Sequence, residues 1–146
     1  MPFASGSRVT AAALNNNTVR TLEARSSGDE TVTTSIADVN GATLTITTPV
    51  ANTVVTVTSY WDIATTGGTD TFIGTLFVDG IQNSTGEAHL EGAGSQRETL
   101  AQSWEVTLAS AGSHTLKLRR QKTSNSDTVT LFGTHTKIKI QGPGIS

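Results

Sequence analysis

Apolar and polar residues alternate with a period of two through most of this sequence, from about residue 30 onward. The clearest example is a row of five residues: Leu100, Gln102, Trp104, Val106 and Leu108. Such a row buries one face of a β-strand and exposes the other. It does not suit a helix, because residues two apart lie on different sides of a helix. The chain beyond residue 30 is therefore predicted to consist of strands.

The composition agrees with an all-β domain. The chain has 146 residues, of which 35% are hydrophobic and only 15% charged, with 14 glycines available for turns. About eight or nine candidate strands follow one another with connections too short for a crossover helix, which predicts antiparallel pairing. The predicted fold is an antiparallel, jelly-roll-like β-sandwich over residues 30–146. Trp61 and Trp104 share strand faces with aliphatic residues and are predicted core anchors.

One tight turn is predicted near the start of this domain. The alternating rows that end at Ile36 and resume at Leu44 are separated by Asn40 and Gly41. An Asn-Gly pair favours the positive φ angles of a two-residue hairpin turn. A β-hairpin centred on this pair is therefore predicted.

Residues 1–29 follow a different pattern and are predicted to form a docking arm. Between Thr10 and Glu23 the apolar residues recur at helical spacing, which predicts a short amphipathic helix. Its apolar stripe is thin and is interrupted by three asparagines, so such a helix would need a partner surface to hold it. The residues predicted to dock the arm are Val9, Leu14, Val19 and Leu22.

Four apolar side chains fall on strand faces that are predicted to point away from the core: Tyr60, Ile73, Phe77 and Phe132. The outer row of a sandwich strand is normally polar, so these side chains need cover. They are predicted to form a subunit interface. Tyr60 is in addition a candidate stacking platform for a sugar.

The charge balance excludes some partners. A net charge of −2 and a pI near 5.8 argue against binding to nucleic acid. One basic group alternates with apolar residues and is interpreted as a solvated strand face: Lys117, Arg119, Arg120 and Lys122. No apolar run is long enough to predict a membrane span, and no secretory signal is recognised, so synthesis in the cytoplasm is expected.

No motif for catalysis or metal binding is found. Cysteine is absent, the three histidines stand alone in the sequence, and there is neither a nucleophile elbow nor a phosphate-binding loop. Asp62, Asp70 and Asp79 are interpreted as residues of turns or strand ends. The chain is therefore predicted not to be an enzyme and to need no cofactor or metal.

The segment at residues 4–15, ASGSRVTAAALN, is a small-residue lead followed by V-T-A-x-x-L-N. It resembles the N-terminal anchors of accessory virion proteins of tailed bacteriophages. The Thr-rich remainder is similar to the compact β-heads of these proteins, whose trimeric members resemble tumour-necrosis-factor-like jelly rolls. The resemblance implies a homotrimeric structural protein of the virion, assembled in the cytoplasm of a bacterial host, with other virion proteins as partners. It implies no functional residue.

Several alternatives stay open at this point. The anchor-like opening favours the tail or adsorption apparatus, and a capsid decoration protein of the cement or head-fibre type is the nearest alternative. A carbohydrate-binding module that uses Tyr60, with a host-surface glycan as its ligand, is the alternative from another class. A small glycan hydrolase is the weakest, because no nucleophile or metal constellation is recognised.

Overall fold

A computed structural model describes residues 10–92 and 95–146, which fold into two facing β-sheets. The elements are α1 (Ala11–Asn17), β1 (Val19–Arg25), β2 (Glu30–Val32), β3 (Ala37–Thr48), β4 (Thr53–Thr65), β5 (Thr71–Val78), β6 (Ile81–Gln82), β7 (Ala88–Glu91), β8 (Gln96–Leu108), β9 (Gly112–Lys122), β10 (Val129–Leu131) and β11 (Lys137–Pro143). All strand pairs of the two sheets are antiparallel in these residues.

The eight longer strands form two four-stranded layers. The first sheet contains β1-β11-β4-β8, and the second contains β3-β9-β5-β7. This arrangement confirms the predicted all-β, jelly-roll-like sandwich. The remaining strands, β2, β6 and β10, contain only two or three residues each. A strand this short has too few residues for an alternating pattern to reveal it.

The core between the sheets is centred on Trp61. Its ring meets the ring of Phe72 edge to face, with the centroids 5.2 Å apart and the planes at 64°. Its Nε1 donates a hydrogen bond to Ser59 Oγ at 2.7 Å, which satisfies the one polar group of the indole. Both Trp61 and Trp104 are buried, as predicted. Gly74 leaves the space for the indole, since a Cβ there would lie 2.5 Å from the ring.

The hairpin predicted at Asn40 and Gly41 is wrong. The chain passes through this pair as one strand, β3, which pairs with β9 and has an irregular register between Asp38 and Thr43. Gly41 does have a positive φ of 84°. The backbone of residues 25–27 packs against it, because the Ser27 N–H donates to the carbonyl oxygen of Asn40 at 2.8 Å. Gly41 therefore adopts its left-handed conformation at a β-bulge within a long strand, and the chain does not reverse there.

The N-terminal helix is shorter than its periodicity predicts. It is capped by Thr10, whose Oγ1 accepts a hydrogen bond from the Ala13 N–H, and it ends at Asn17. From Val19 the chain forms β1, which pairs with β11 along its whole length. Pairing with the free edge of β11 gives the backbone groups of residues 19–25 hydrogen-bond partners. Extending the short, marginal helix through these residues would stabilise the segment less. Residues 19–25, assigned to the docking arm by sequence, thus belong to the first sheet.

Two of the four basic residues predicted to be solvated point into the sandwich. Arg120 and Lys122 lie on the same side of β9 as the core residue Leu118, and their side chains are almost fully buried. Arg120 pairs with Glu30, and Lys122 Nζ lies 3.2 Å from Asp70 Oδ2. The side chains of both pairs, Arg120 with Glu30 and Lys122 with Asp70, are at most 10% exposed. The acidic partners come from β2 and from the loop before β5, so the pattern along β9 alone could not reveal them.

We predict that Gly74→Ala lowers the free energy of unfolding by about 1–3 kcal/mol, because the added methyl group overpacks the Trp61 ring. Gly28→Ala is the matched control, since a Cβ at Gly28 meets no atom within 4 Å. Urea unfolding followed by tryptophan fluorescence measures both. Equal stability of the two variants would show that the Trp61 contact can relax.

We predict that Glu30→Gln destabilises the chain by about 3 kcal/mol or more, because it leaves the buried charge of Arg120 without a counter-charge. The control is Asp38→Asn. Asp38 pairs with Lys117 and Arg119 on the outer face and should contribute less than about 1 kcal/mol. Denaturant midpoints of the two variants give the comparison, and equal losses would contradict it.

Candidate functional site

The four predicted interface residues do not lie on one surface. Tyr60 lies on the outer face of the first sheet, and Phe132 lies beneath Arg97 on the same side. Ile73 and Phe77 lie on the outer face of the second sheet, opposite the core residues of β5. A single flat interface therefore cannot contain all four.

Two of these side chains are covered within the chain itself. The guanidinium carbon of Arg119 lies 4.5 Å from the ring centroid of Phe77, which is 8% exposed. Arg97 covers Phe132 in the same way, at 3.8 Å. Arginine stacking on an aromatic face supplies the cover that the sequence pattern assigned to another subunit. Ile73 is half-buried, and Tyr60 is the most exposed of the four.

Tyr60 forms one wall of an open depression, which we name the Tyr60 cup. The cup has a volume of about 470 Å³ and is further lined by Thr99, Leu100, Ala101, His135 and Lys137. Its residues come from β4, β8 and the region around the start of β11, because Tyr60 is paired with Ala101 on one side and with Lys137 on the other. The cup thus lies across three strands of the first sheet.

The polar groups of the cup are held in fixed positions. Lys137 Nζ lies 5.2 Å from the ring centroid of Tyr60 and 3.0 Å from Glu23 Oε2. His135 Nδ1 lies 2.9 Å from Asp62 Oδ2. Within the described residues, no protein group hydrogen-bonds the hydroxyls of Tyr60 and Thr99. The cup therefore combines an aromatic wall with polar groups that are free for a ligand.

A buried carboxylate anchors the side of the cup. Asp62 accepts two hydrogen bonds from the Arg97 guanidinium, at 2.9 and 2.7 Å. These bonds hold the pKa of Asp62 below its ordinary value although burial opposes them, and the bond from His135 acts in the same direction. Asp62 was interpreted as a residue of a turn or strand end, but it lies within β4 and organises Arg97 and His135.

A second surface lies at the end of the sandwich where α1 packs. Four of the six exposed large hydrophobic side chains in residues 10–92 and 95–146 belong to this region, and we name them the arm-end patch: Leu14, Val19, Val50 and Val54. Val50 and Val54 line a groove of about 320 Å³ together with Ala13 of α1 and Pro143 of β11. Val19 is paired with Pro143 in the sheet. None of these residues carries a charged side chain.

The predicted docking residues have different surroundings. Leu14 and Val19 are exposed, at 60% and 68%. Leu22 is partly buried and packs against the core from β1, and its role in docking stays a prediction. Val9 lies outside the described residues. Val50 and Val54 were not predicted as docking residues. The sequence pattern nonetheless contains an indication for Val54, because it places this apolar residue on the outward row of β4.

Each histidine in the structure is paired with a carboxylate. The pairs are His89 with Glu87, His114 with Asp79 and His135 with Asp62. No group of three or more potential metal ligands occurs in the part of the chain that the structure describes. Among the same residues, no helix has the length and apolar character to cross a membrane.

His114 is the buried member of this set. Its Nδ1 lies 2.7 Å from Asp79 Oδ2, and its Nε2 lies 3.0 Å from the carbonyl oxygen of Ser110. Both partners accept hydrogen bonds, so both ring nitrogens carry protons when the two bonds form. The bond to Asp79, followed by that to Ser110, raises the pKa of His114 against the effect of burial. Burial alone would raise the pKa of Asp79, but hydrogen bonds from His114 and the Thr115 N–H lower it.

Comparison with known proteins shows the fold and no family. No family model matches the sequence, and no curated protein matches it. Eiger TNF from S. frugiperda is 9% identical, with 85% of this chain and 92% of that chain covered and a TM-score of 0.55. A protein of the T13 IBDV viral particle is 9% identical, covering 97% of this chain and 38% of that chain, with a TM-score of 0.50.

A family 35 carbohydrate binding module from an environmental isolate is also similar. It is 18% identical over 86% of this chain and 96% of that chain, with a TM-score of 0.46. At such identities the similarity to solved structures shows the jelly-roll fold alone.

We predict that the wild-type free energy of unfolding falls as the pH rises above about 6.5, the ordinary pKa of histidine. The His114 pair contributes fully below that pH and is lost as the pH passes the raised pKa of His114 in the folded state. His114→Gln should flatten this decline, whereas His89→Gln, at an exposed site, should not. Urea unfolding from pH 6 to pH 9 measures the slopes, and an unchanged slope in His114→Gln would contradict the prediction.

Proposed function

We propose that this chain is a structural protein of a tailed-phage virion, that it attaches to the particle through the arm-end patch, and that it works as a homotrimer. The arm-end patch is the observation that carries the proposal. Isolated exposed apolar side chains are common on protein surfaces, but a cluster of them at one end indicates a contact with another protein.

The chemistry of the patch suggests the kind of partner surface. The groove is lined by valine, alanine, proline, threonine and asparagine, with no charged side chain. Burying an uncharged groove carries no cost of desolvating ions, so an apolar, uncharged surface on the particle is the complementary partner. Helix α1 belongs to this surface, since it has no buried residue of its own and exposes Leu14.

The patch lies next to the segment that resembles the N-terminal anchors of phage virion proteins. The segment at residues 4–15 that resembles phage virion anchors leads into α1, and α1 lines the groove. The docking residues then come from the helix, the start of β1, the β3–β4 turn and the start of β4. Sequence and geometry therefore support attachment at the same end of the molecule.

The small size of the patch supports attachment by more than one copy, and the number three is proposed from the resemblance to trimeric virion proteins. A contact built on four exposed apolar side chains would be weak for a single copy. Three linked copies raise the overall affinity through effective concentration, without any new contact. A tail location is proposed ahead of capsid decoration, and the number of copies in each virion distinguishes them: few for a tail or vertex, many for a decorated capsid.

We expect the double variant Leu14→Ser, Val50→Ser to fold normally and to associate with virions about ten-fold less or more weakly still, because two apolar side chains lose their burial on docking. The matched control is Ile81→Ser, since Ile81 is 75% exposed and lies outside the patch. Quantitative immunoblots of gradient-purified particles measure the association. Wild-type association of the double variant, or an equal loss with Ile81→Ser, would contradict the proposal.

A further inference from the structure

We propose that the Tyr60 cup binds a neutral carbohydrate, a function beyond attachment to the particle. The volume of about 470 Å³ lies within the range of small-molecule sites. The wall of the cup is built from the Tyr60 ring, with Leu100 and Ala101 beside it. A pyranose ring presents a face of C–H groups that packs against such an aromatic side chain.

The polar groups of the cup match hydroxyl groups in a ligand. With the Nδ1 proton of His135 donated to Asp62, its Nε2 is left as an acceptor, and the histidine is 65% exposed at its side chain. The hydroxyls of Tyr60 and Thr99 can donate or accept, and the Lys137 ammonium donates. Every hydroxyl of a sugar both donates and accepts, so a mixed set of this kind suits it.

The charges of the cup favour an uncharged ligand. Lys137 is paired with Glu23 at 3.0 Å, and His135 is held by Asp62, which is also neutralised by Arg97. A cationic or anionic ligand would have to compete with these existing partners. These pairs weaken the attraction of the cup for an ion of either sign.

The cup remains accessible in the proposed attached state. Val54 of the arm-end patch and Tyr60 lie on the same outward row of β4, six residues apart along the strand. At about 3.3 Å per residue the separation is about 20 Å. Docking through the patch therefore leaves the cup uncovered, about 20 Å along the same face of the first sheet from Val54.

A glycan array probed with the full chain tests this proposal. The array carries neutral oligosaccharides of glucose, galactose, mannose and N-acetylhexosamines, together with sialylated and sulphated glycans. We expect binding to at least one neutral glycan. Tyr60→Ala should weaken that binding by about ten-fold or more and Thr99→Val should weaken it as well, whereas Tyr60→Trp should retain it.

The control is Thr56→Ala, a truncation on the same outward row of β4 but outside both the cup and the arm-end patch, which should bind as the wild type does. Unchanged thermal unfolding of each variant shows that a loss of binding is not a loss of fold. The proposal is overturned by binding to no neutral glycan, by binding to charged glycans alone, or by wild-type binding in Tyr60→Ala. It is also overturned if Tyr60→Ala lowers the mass of the protein in solution, which would make the cup a contact between copies.

Discussion

The structure depends on the alternation of side chains along β4. Residues of one parity, from Val55 through Trp61 to Ile63, fill the space between the two sheets. Residues of the other parity point outward and supply part of each candidate surface. Because β4 pairs with β8 along all thirteen of its residues and with β11 and β10 on its other edge, it also fixes the register of the first sheet. A shift of one residue would exchange core and surface along the whole strand.

The two ends of the sandwich are chemically different. One end has the uncharged groove beside α1, whereas the other holds the buried pairs Arg120–Glu30 and Lys122–Asp70. Further polar bonds close that second end, since Asp127 accepts the backbone N–H groups of Thr69 and Asp70. Buried ion pairs of this kind specify one arrangement of the connecting segments, because any other arrangement leaves a charge without its partner. The apolar end lacks such constraints and has surface left for a partner.

Arginine accounts for the main difference between predicted and observed surfaces. Phe77 and Phe132 were predicted to need a second subunit, yet Arg119 and Arg97 lie over their rings. The acidic residues Asp38 and Asp62 hold these guanidinium groups in place. Each such arrangement joins residues from three separate segments. Tyr60 has no comparable cover beyond Lys137, and for this reason the cup is open.

The sequence by itself determined the all-β class, the identity of the two core tryptophans and the presence of a short N-terminal helix. These three features follow from the alternation and the spacing of residues that are close together in the sequence. The tertiary structure alone decided that Asn40 and Gly41 form a bulge, that Val19–Arg25 is a strand, and that Arg120 and Lys122 are buried. In each case the deciding partner is distant in the chain, as with the 90 residues that separate Arg120 from Glu30. The period of two identifies the faces of a strand, but only the packing of other segments decides what covers each face.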